Sequence, residues 1–298
     1  GSSRVDPSPR ALRVDSDEQV HQWFARGRAS RLRGVALVVH GLNLKPERMT
    51  PVIAELNRAG IDVLNVSLRG HGRNFDRNTE LPMDEARLEA FRNVSYRLWL
   101  DEVREAYFKA RQRAEERRVP LFFVGYSLGG LLGCNLLAAD PAVAYDRMIL
   151  FSPALNITAK GYLLKPLMPF PSIVIDSLAP VSYRANDGTP MAAYRAVFEG
   201  VADFERRGGA RLNVPTALFV DERDEFISAA ALRETVARLG LDRWRIHWVR
   251  KGPDGDERLS HHLLVDKASV GSETWQRIAG VMRQHVLPGG AAPRTSSP

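Results

Sequence analysis

Apolar blocks about six residues long recur along the chain, separated by longer amphipathic stretches. Gly34–Val39, Ile61–Leu68, Leu121-Phe122-Phe123-Val124, Arg147–Phe151, Thr216–Val220 and Trp244–Val249 are such blocks. Runs of this length with few polar interruptions read as strands buried on both faces. Between them the period lengthens. Met49, Val52, Ile53 and Leu56 share one face of a helix over Pro46–Arg58, closed by Gly60. A helical region from Asp84 to Arg118 carries Leu100, Val103, Tyr107, Ala110 and Ala114 at spacings of three and four, and Pro120 ends it. Helices are also predicted after Gly130 up to Asp140-Pro141, over Tyr194–Arg207, over Ala229–Leu239 and over Thr274–His285. Val20, Trp23 and Phe24 predict a short helix within Asp17–Arg28. Strands alternating with helices predict right-handed βαβ units and a mostly parallel sheet with helices on both faces.

The rhythm changes after Pro153. Between Gly161 and Pro171 five large apolar residues are mixed with three prolines, and Ile173, Val174, Ile175 and Leu178 follow. Such a stretch is too broken for a core element and too apolar for a solvated loop. The organisation read from the pattern is an N-terminal arm and short helix (1–30), an α/β core (31–153 and 212–287), an insertion covering one end of the sheet (154–211), and a Gly/Ala/Pro/Ser-rich tail (288–298) expected to be disordered. The expected role of the insertion is a lid or acyl-chain pocket.

Composition changes this picture little. At 298 residues and 44% hydrophobic content, the chain suits one large domain. The net charge of +7 comes from 42 Lys and Arg against 35 Asp and Glu. The arginines are spread along the chain and alternate with Glu over Glu102–Arg118, with no basic stripe and no nucleic-acid motif, so nucleic acid is not an expected partner. The single cysteine, Cys134, excludes internal disulfides and Cys-rich metal sites. No cofactor or metal is expected, because His40 and His71 lack further ligands at consistent spacing. The opening Gly-Ser-Ser resembles a trimmed end, so a preceding signal or lipid-anchor segment is compatible with the sequence, and a cytoplasmic or periplasmic location stays open.

The candidate chemistry lies at the ends of the predicted strands. Gly125-Tyr126-Ser127-Leu128-Gly129 matches G-x-S-x-G between a strand and an apolar helix, the context in which the motif places a nucleophilic serine on a strained turn. Flanking glycines let strand and helix approach closely. After Thr216–Val220 comes Asp221-Glu222-Arg223-Asp224-Glu225-Phe226-Ile227, and after Trp244–Val249 comes Ser260-His261-His262. The order Ser, Asp, His is thus met at the carboxyl ends of three predicted strands, where parallel sheets build their sites. His40-Gly41-Leu42 follows another strand and is placed to supply a second backbone N–H to a developing oxyanion.

Five pieces in this order resemble the α/β-hydrolase superfamily: Val39-His40-Gly41, Arg69-Gly70-His71-Gly72, the serine motif, the Asp224 turn, and His261 with its apolar run. The closer resemblance is to bacterial serine esterases and to monoacylglycerol lipase- and lysophospholipase-like hydrolases, with the insertion at the family's cap position. The resemblance implies Ser127 as nucleophile, His261 as general base, Asp224 as its acid partner, and the N–H groups of Leu42 and Leu128 as oxyanion hole. Phe226-Ile227 favours Asp224, with Asp221 as the alternative acid. The five-residue spacing to Asp266 favours His261, with His262 as the alternative base. The implied activity is cleavage of carboxylic esters with an apolar acyl group, on a small-molecule ester or lipid, with transient membrane-surface contact through the cap. A serine peptidase, a thioesterase and a non-catalytic lipid-binding relative are the alternatives on the same fold.

Overall fold

The computed structural model describes residues 20–27 and 30–288, so the expected arm over 1–17 and all of the expected tail after residue 288 lie outside the described residues. In chain order the strands and helices are β1 (His21–Phe24), β2 (Gly34–Val39), α1 (Thr50–Arg58), β3 (Ile61–Val66), α2 (Met83–Arg92), α3 (Tyr96–Arg117), β4 (Leu121–Tyr126), α4 (Leu128–Ala139), β5 (Arg147–Phe151), β6 (Val174–Asp176), β7 (Gly188–Pro190), α5 (Met191–Arg207), β8 (Thr216–Asp221), α6 (Ala229–Arg238), β9 (Trp244–Val249), α7 (Lys267–Val270) and α8 (Ser272–Val286). Seven strands form one sheet in the order β1-β3-β2-β4-β5-β8-β9. All neighbours are parallel except β1, which runs antiparallel to β3.

The apolar blocks form strands because both faces of the sheet are covered. Along β2, Val35, Leu37 and Val39 face the side packed by α3 and α4, while Ala36 and Val38 face the side packed by α1 and α8. Burying each such Val or Leu contributes about 1.5–3 kcal/mol of apolar transfer free energy. Serine caps punctuate the helices: Ser95 Oγ accepts from the Leu98 N–H and Ser228 Oγ from the Ala231 N–H. The first of these caps divides the expected Asp84–Arg118 helix into α2 and α3.

Two expectations need correction. The helix predicted over Asp17–Arg28 is replaced, in its described part, by β1. Val20, Trp23 and Phe24 fit a helical period, but β3 offers an edge of free backbone groups, and the segment pairs with it from His21↔Val66 to Phe24↔Val63. The inserted stretch was expected to reach residue 211. Instead α5 packs into the helical layer, with Ala193, Ala196, Val201 and Phe204 in the main core, and Gly200 lets it approach Leu131 of α4 and Tyr96 of α3. The part outside the α/β layers is therefore the run between Ala154 and Asp187, which holds a 3-10 segment, Gly161–Leu167, and strand β6; β6 pairs with β7. No helix among the described residues is long and apolar enough to cross a membrane.

Candidate active site

Strand β4 ends at Tyr126 and α4 begins at Leu128, so the chain reverses within one residue. That residue, Ser127, has φ 52° and ψ −113°, a conformation L-residues rarely adopt, imposed by the tight reversal. Its N–H donates to the Phe151 carbonyl at 2.9 Å, and its carbonyl accepts from Leu131 and Ala154. The flanking glycines are steric necessities. A Cβ on Gly129 would lie 2.1 Å from the Val39 carbonyl oxygen, and one on Gly125 would lie 2.6 Å from the Gly130 nitrogen.

The loop after β8 carries Asp224. Its Oδ1 accepts from the Phe226 and Ile227 N–H groups at 2.8 and 2.9 Å, leaving Oδ2 to accept from His262 Nδ1 at 2.7 Å. The Asp224 side chain has no exposed surface. Because a carboxylate only accepts, the imidazole proton sits on Nδ1 and the Nε2 lone pair faces Ser127 Oγ, 2.7 Å away. The His262 ring lies between Tyr126 and Phe226, at centroid distances of 5.3 and 5.1 Å. Burial, then the nearby Asp224 charge, pushes the Tyr126 hydroxyl well above its ordinary pKa. A chain of this kind can move a proton from the serine hydroxyl to the imidazole and stabilise the cation formed.

His261, expected at this position, is elsewhere. Its Nδ1 donates to Glu225 Oε1 at 2.8 Å, and its ring is partly exposed. Adjacent side chains in a turn point in different directions, and the turn places the second histidine inward. The spacing to Asp266 that favoured His261 has another origin: Asp266 caps α7 through the Ser269 N–H at 2.8 Å and accepts from the Tyr183 hydroxyl at 2.7 Å. Asp221, the alternative acid, accepts from the Arg223 N–H, and burial raises its carboxyl pKa.

Leu128 is the first residue of α4, so its N–H has no intrahelical acceptor. Leu42 lies on the loop after β2, where two histidines hold the backbone. His40 Nδ1–H donates to the Gly41 carbonyl and its Nε2 accepts from the Leu68 N–H at 3.0 Å. His71 Nδ1–H donates to the Arg69 carbonyl and its Nε2 accepts from the Asn43 N–H at 2.8 Å. The ring centroids lie 4.6 Å apart, with the planes tilted by 47°. Burial lowers the pKa of His40 to about 4 and that of His71 well below its ordinary value, so both are neutral near pH 7. With both Nε2 lone pairs taken by N–H donors, these histidines are loop staples.

Three further groups shape the site and escape sequence reading. Ser152, at φ 43° just past β5, donates its Oγ to the His262 carbonyl at 3.0 Å. Glu225 accepts from the backbone N–H groups of His261 and His262 as well as from the His261 ring. Burial opposes ionisation of Glu225, but the hydrogen bonds from His261 hold its carboxyl below the ordinary range. Asn156 exchanges hydrogen bonds with the backbone of Ser228. The strand-end position of Ser152-Pro153 and the position of Glu225 beside Asp224 were the available signals, and neither identifies a partner more than thirty residues away.

Residues 30–202 match the model of the Hydrolase_4 family, described as serine aminopeptidase, S33. No curated protein is similar enough in sequence to match the chain. Among solved structures, a soluble variant of monoglyceride lipase from Saccharomyces cerevisiae, in complex with a substrate analog, superposes with a TM-score of 0.70 at 11% identity, over 97% of this chain and 98% of that one. A structure described with LipS and LipT, two metagenome-derived lipolytic enzymes, gives 0.65 at 18% identity over 95% and 100%. The monoacylglycerol lipase of Paleococcus ferrophilus gives 0.64 at 19% identity over 89% and 99%. At these identities the likeness is one of fold.

Proposed function

This chain belongs to the Hydrolase_4 family of α/β-hydrolases, and on that premise we propose that it is a serine hydrolase cleaving carboxylic esters with an apolar acyl group. The observation that carries the proposal is the hydrogen-bonded chain Ser127 Oγ–His262–Asp224, with both contacts at 2.7 Å. In the reaction, Ser127 Oγ attacks the acyl carbon while His262 Nε2 takes its proton. Asp224 holds the imidazole and stabilises the imidazolium. The oxygen that becomes negative is received by the N–H groups of Leu42 and Leu128, and losing one such donor costs about 3 kcal/mol in the barrier. Collapse of the tetrahedral intermediate expels the alcohol, protonated by His262, and leaves an acyl-serine. Water attacks the acyl carbon, giving its proton to His262, and the carboxylic acid leaves as Ser127 is restored.

The preference for an apolar acyl group is supported by what surrounds the serine. The ring of Phe226 packs on His262 and is still more than half exposed. The run between Ala154 and Asp187 starts and ends at the site loops: Thr158 and Asn156 bond to the loop carrying Glu225, Phe226 and Ser228, and Lys45 bonds to Tyr183. Between these anchors Leu163, Phe170, Leu178 and Val181 are exposed, which supports a cap role for this run. The same residues, with Lys160 and Lys165 among them, support transient contact with a lipid surface.

The family description names an aminopeptidase, whose substrate ammonium would need an unpaired acid. Of the three acids of α5, Asp203 is buried and already held by the Tyr96 hydroxyl at 2.6 Å and by Arg206 and Arg207, while Glu199 and Glu205 are exposed. The ester reading is tested by hydrolysis of p-nitrophenyl esters from acetate to laurate, against aminoacyl p-nitroanilides. Activity on medium or long acyl chains that vanishes in Ser127→Ala supports it. Activity confined to the anilides, or no serine-dependent hydrolysis of any ester, overturns it.

A further inference from the structure

Asn43 follows Leu42 directly and sits at φ 53°, in the left-handed region that asparagine tolerates better than most residues. Each of its four polar groups is engaged. Its N–H donates to His71 Nε2 at 2.8 Å, and its carbonyl accepts from the Ala185 N–H at 2.9 Å. Its side-chain Oδ1 accepts from the Asn186 N–H at 2.8 Å, while Nδ2 donates to the Asn186 carbonyl at 3.0 Å. Three of the four partners thus lie in residues 185–186, where the outlying run between Ala154 and Asp187 returns to the core. Leu44 and Arg184 add an antiparallel bridge beside this contact, and the Lys45 N–H donates to the Tyr183 carbonyl.

Asn186 closes the knot from the other side. Its Nδ2 donates to the Gly70 carbonyl at 2.9 Å, on the turn that carries His71. Both asparagines are buried, at 7% and 6% exposure. Asn186 Oδ1 is buried without a partner among the described residues.

We propose that Asn43 and Asn186 form a latch whose role is to position the Leu42 N–H, tying the oxyanion donor to the returning end of the outlying run. This rests on the ester-hydrolase reading of the same site. The Leu42 N–H lies in the Gly41–Leu42 peptide, whose carbonyl accepts from His40 Nδ1 at 2.8 Å and from the Leu44 N–H at 3.3 Å, and Asn43 anchors the chain immediately after Leu42. The latch fixes Asn43 through side chain and backbone at once, with His71 holding it from the opposite side. An oxyanion donor acts within a narrow distance window, and a displacement of about 1 Å costs on the order of 100-fold in rate. Any movement of residue 186 therefore moves the donor as well. Asn43 and Asn186 are positioning residues, because they act through Leu42.

The experiment compares the full-length protein with Asn186→Ala, Asn43→Gly and the double variant. Glycine keeps the positive φ and removes only the side chain. Each is measured for kcat and KM on the best p-nitrophenyl ester, for the inhibition constant of a trifluoromethyl ketone of the same acyl length, and for its melting temperature. The ketone forms a tetrahedral adduct whose oxygen occupies the oxyanion position. Each single variant is expected to lower kcat by about 10- to 100-fold with KM within roughly twofold, and to weaken the ketone by a similar factor. The double variant is expected to lose no more than the worse single one, since either change opens the same latch. Full kcat and ketone affinity in folded Asn186→Ala, a loss confined to KM, or losses that multiply in the double variant would each overturn the latch alone. A wild-type protein inactive on all esters, unlabelled by a fluorophosphonate and blind to the ketone overturns the hydrolase reading and the latch together.

Discussion

Two adjacent histidines make the sharpest prediction. His262 bonds at 2.7 Å through each ring nitrogen, to Ser127 and to buried Asp224. Replacing it with alanine removes the proposed proton acceptor for Ser127 and leaves the Asp224 carboxylate without its imidazole partner. Loss of a base in this role lowers kcat by about 10⁴- to 10⁶-fold, equivalent to roughly 5–8 kcal/mol of barrier. His261 makes one ring contact, to the half-exposed carboxylate of Glu225, which keeps its bonds from the backbone N–H groups of 261 and 262 in the alanine variant. A partly exposed contact of this kind contributes up to about 1 kcal/mol, so His261→Ala lowers kcat by no more than about fivefold. The two variants should therefore differ by at least about 10³-fold in turnover of a p-nitrophenyl ester. Their melting temperatures, measured alongside, separate loss of chemistry from loss of fold. Comparable losses in both variants, or the larger loss at His261, would refute the assignment drawn from the geometry.

Gly129→Ala places a Cβ 2.1 Å from the Val39 carbonyl oxygen and 2.6 Å from that of His40; a destabilisation of about 3 kcal/mol is expected, and an unchanged melting temperature with full activity would contradict it. Ser152→Ala removes the 3.0 Å bond to the buried His262 carbonyl, so kcat should fall about tenfold with KM little changed, a split that steady-state kinetics checks directly. Stability should fall as pH drops from 6.5 to about 4. In that window the unfolded chain protonates His40 while the folded protein, with its pKa near 4, does not, so the unfolded state binds more protons and about 3 kcal/mol from His40 is lost on the way down. Buried His71 and partly buried His285, lowered by desolvation as well, act in the same direction. Urea unfolding at pH 7, 6, 5 and 4 measures the slope, and equal stability across the range would refute it.

Much of the architecture was legible in the order of residues. Fully apolar runs such as Val35–Val39 and Leu121–Val124 need burial on both faces, and helical spacing in Met49–Leu56 and Leu100–Ala114 supplies the covering layers. The strained turn at Ser127 was legible for the same reason: its glycines and serine answer local steric demands, and local demands leave a local pattern. β1 was misread because Trp23 and Phe24 suit either period, and only the free edge of β3 decides between them.

Tertiary structure alone decided the rest. His261 and His262 are identical in type and adjacent in sequence, and their difference is which one the turn aims at Ser127 and which at Glu225. Ser152 reaches across 110 residues to His262, and Asn43 across 143 to Asn186. A hydrogen bond at such separation imposes no spacing rule, because it depends on where the sheet and its loops bring the two chains together. The sequence thus specified the strands, the helices and the residue types at their ends. Directions of individual side chains were settled only when the packed sheet fixed the loops in space.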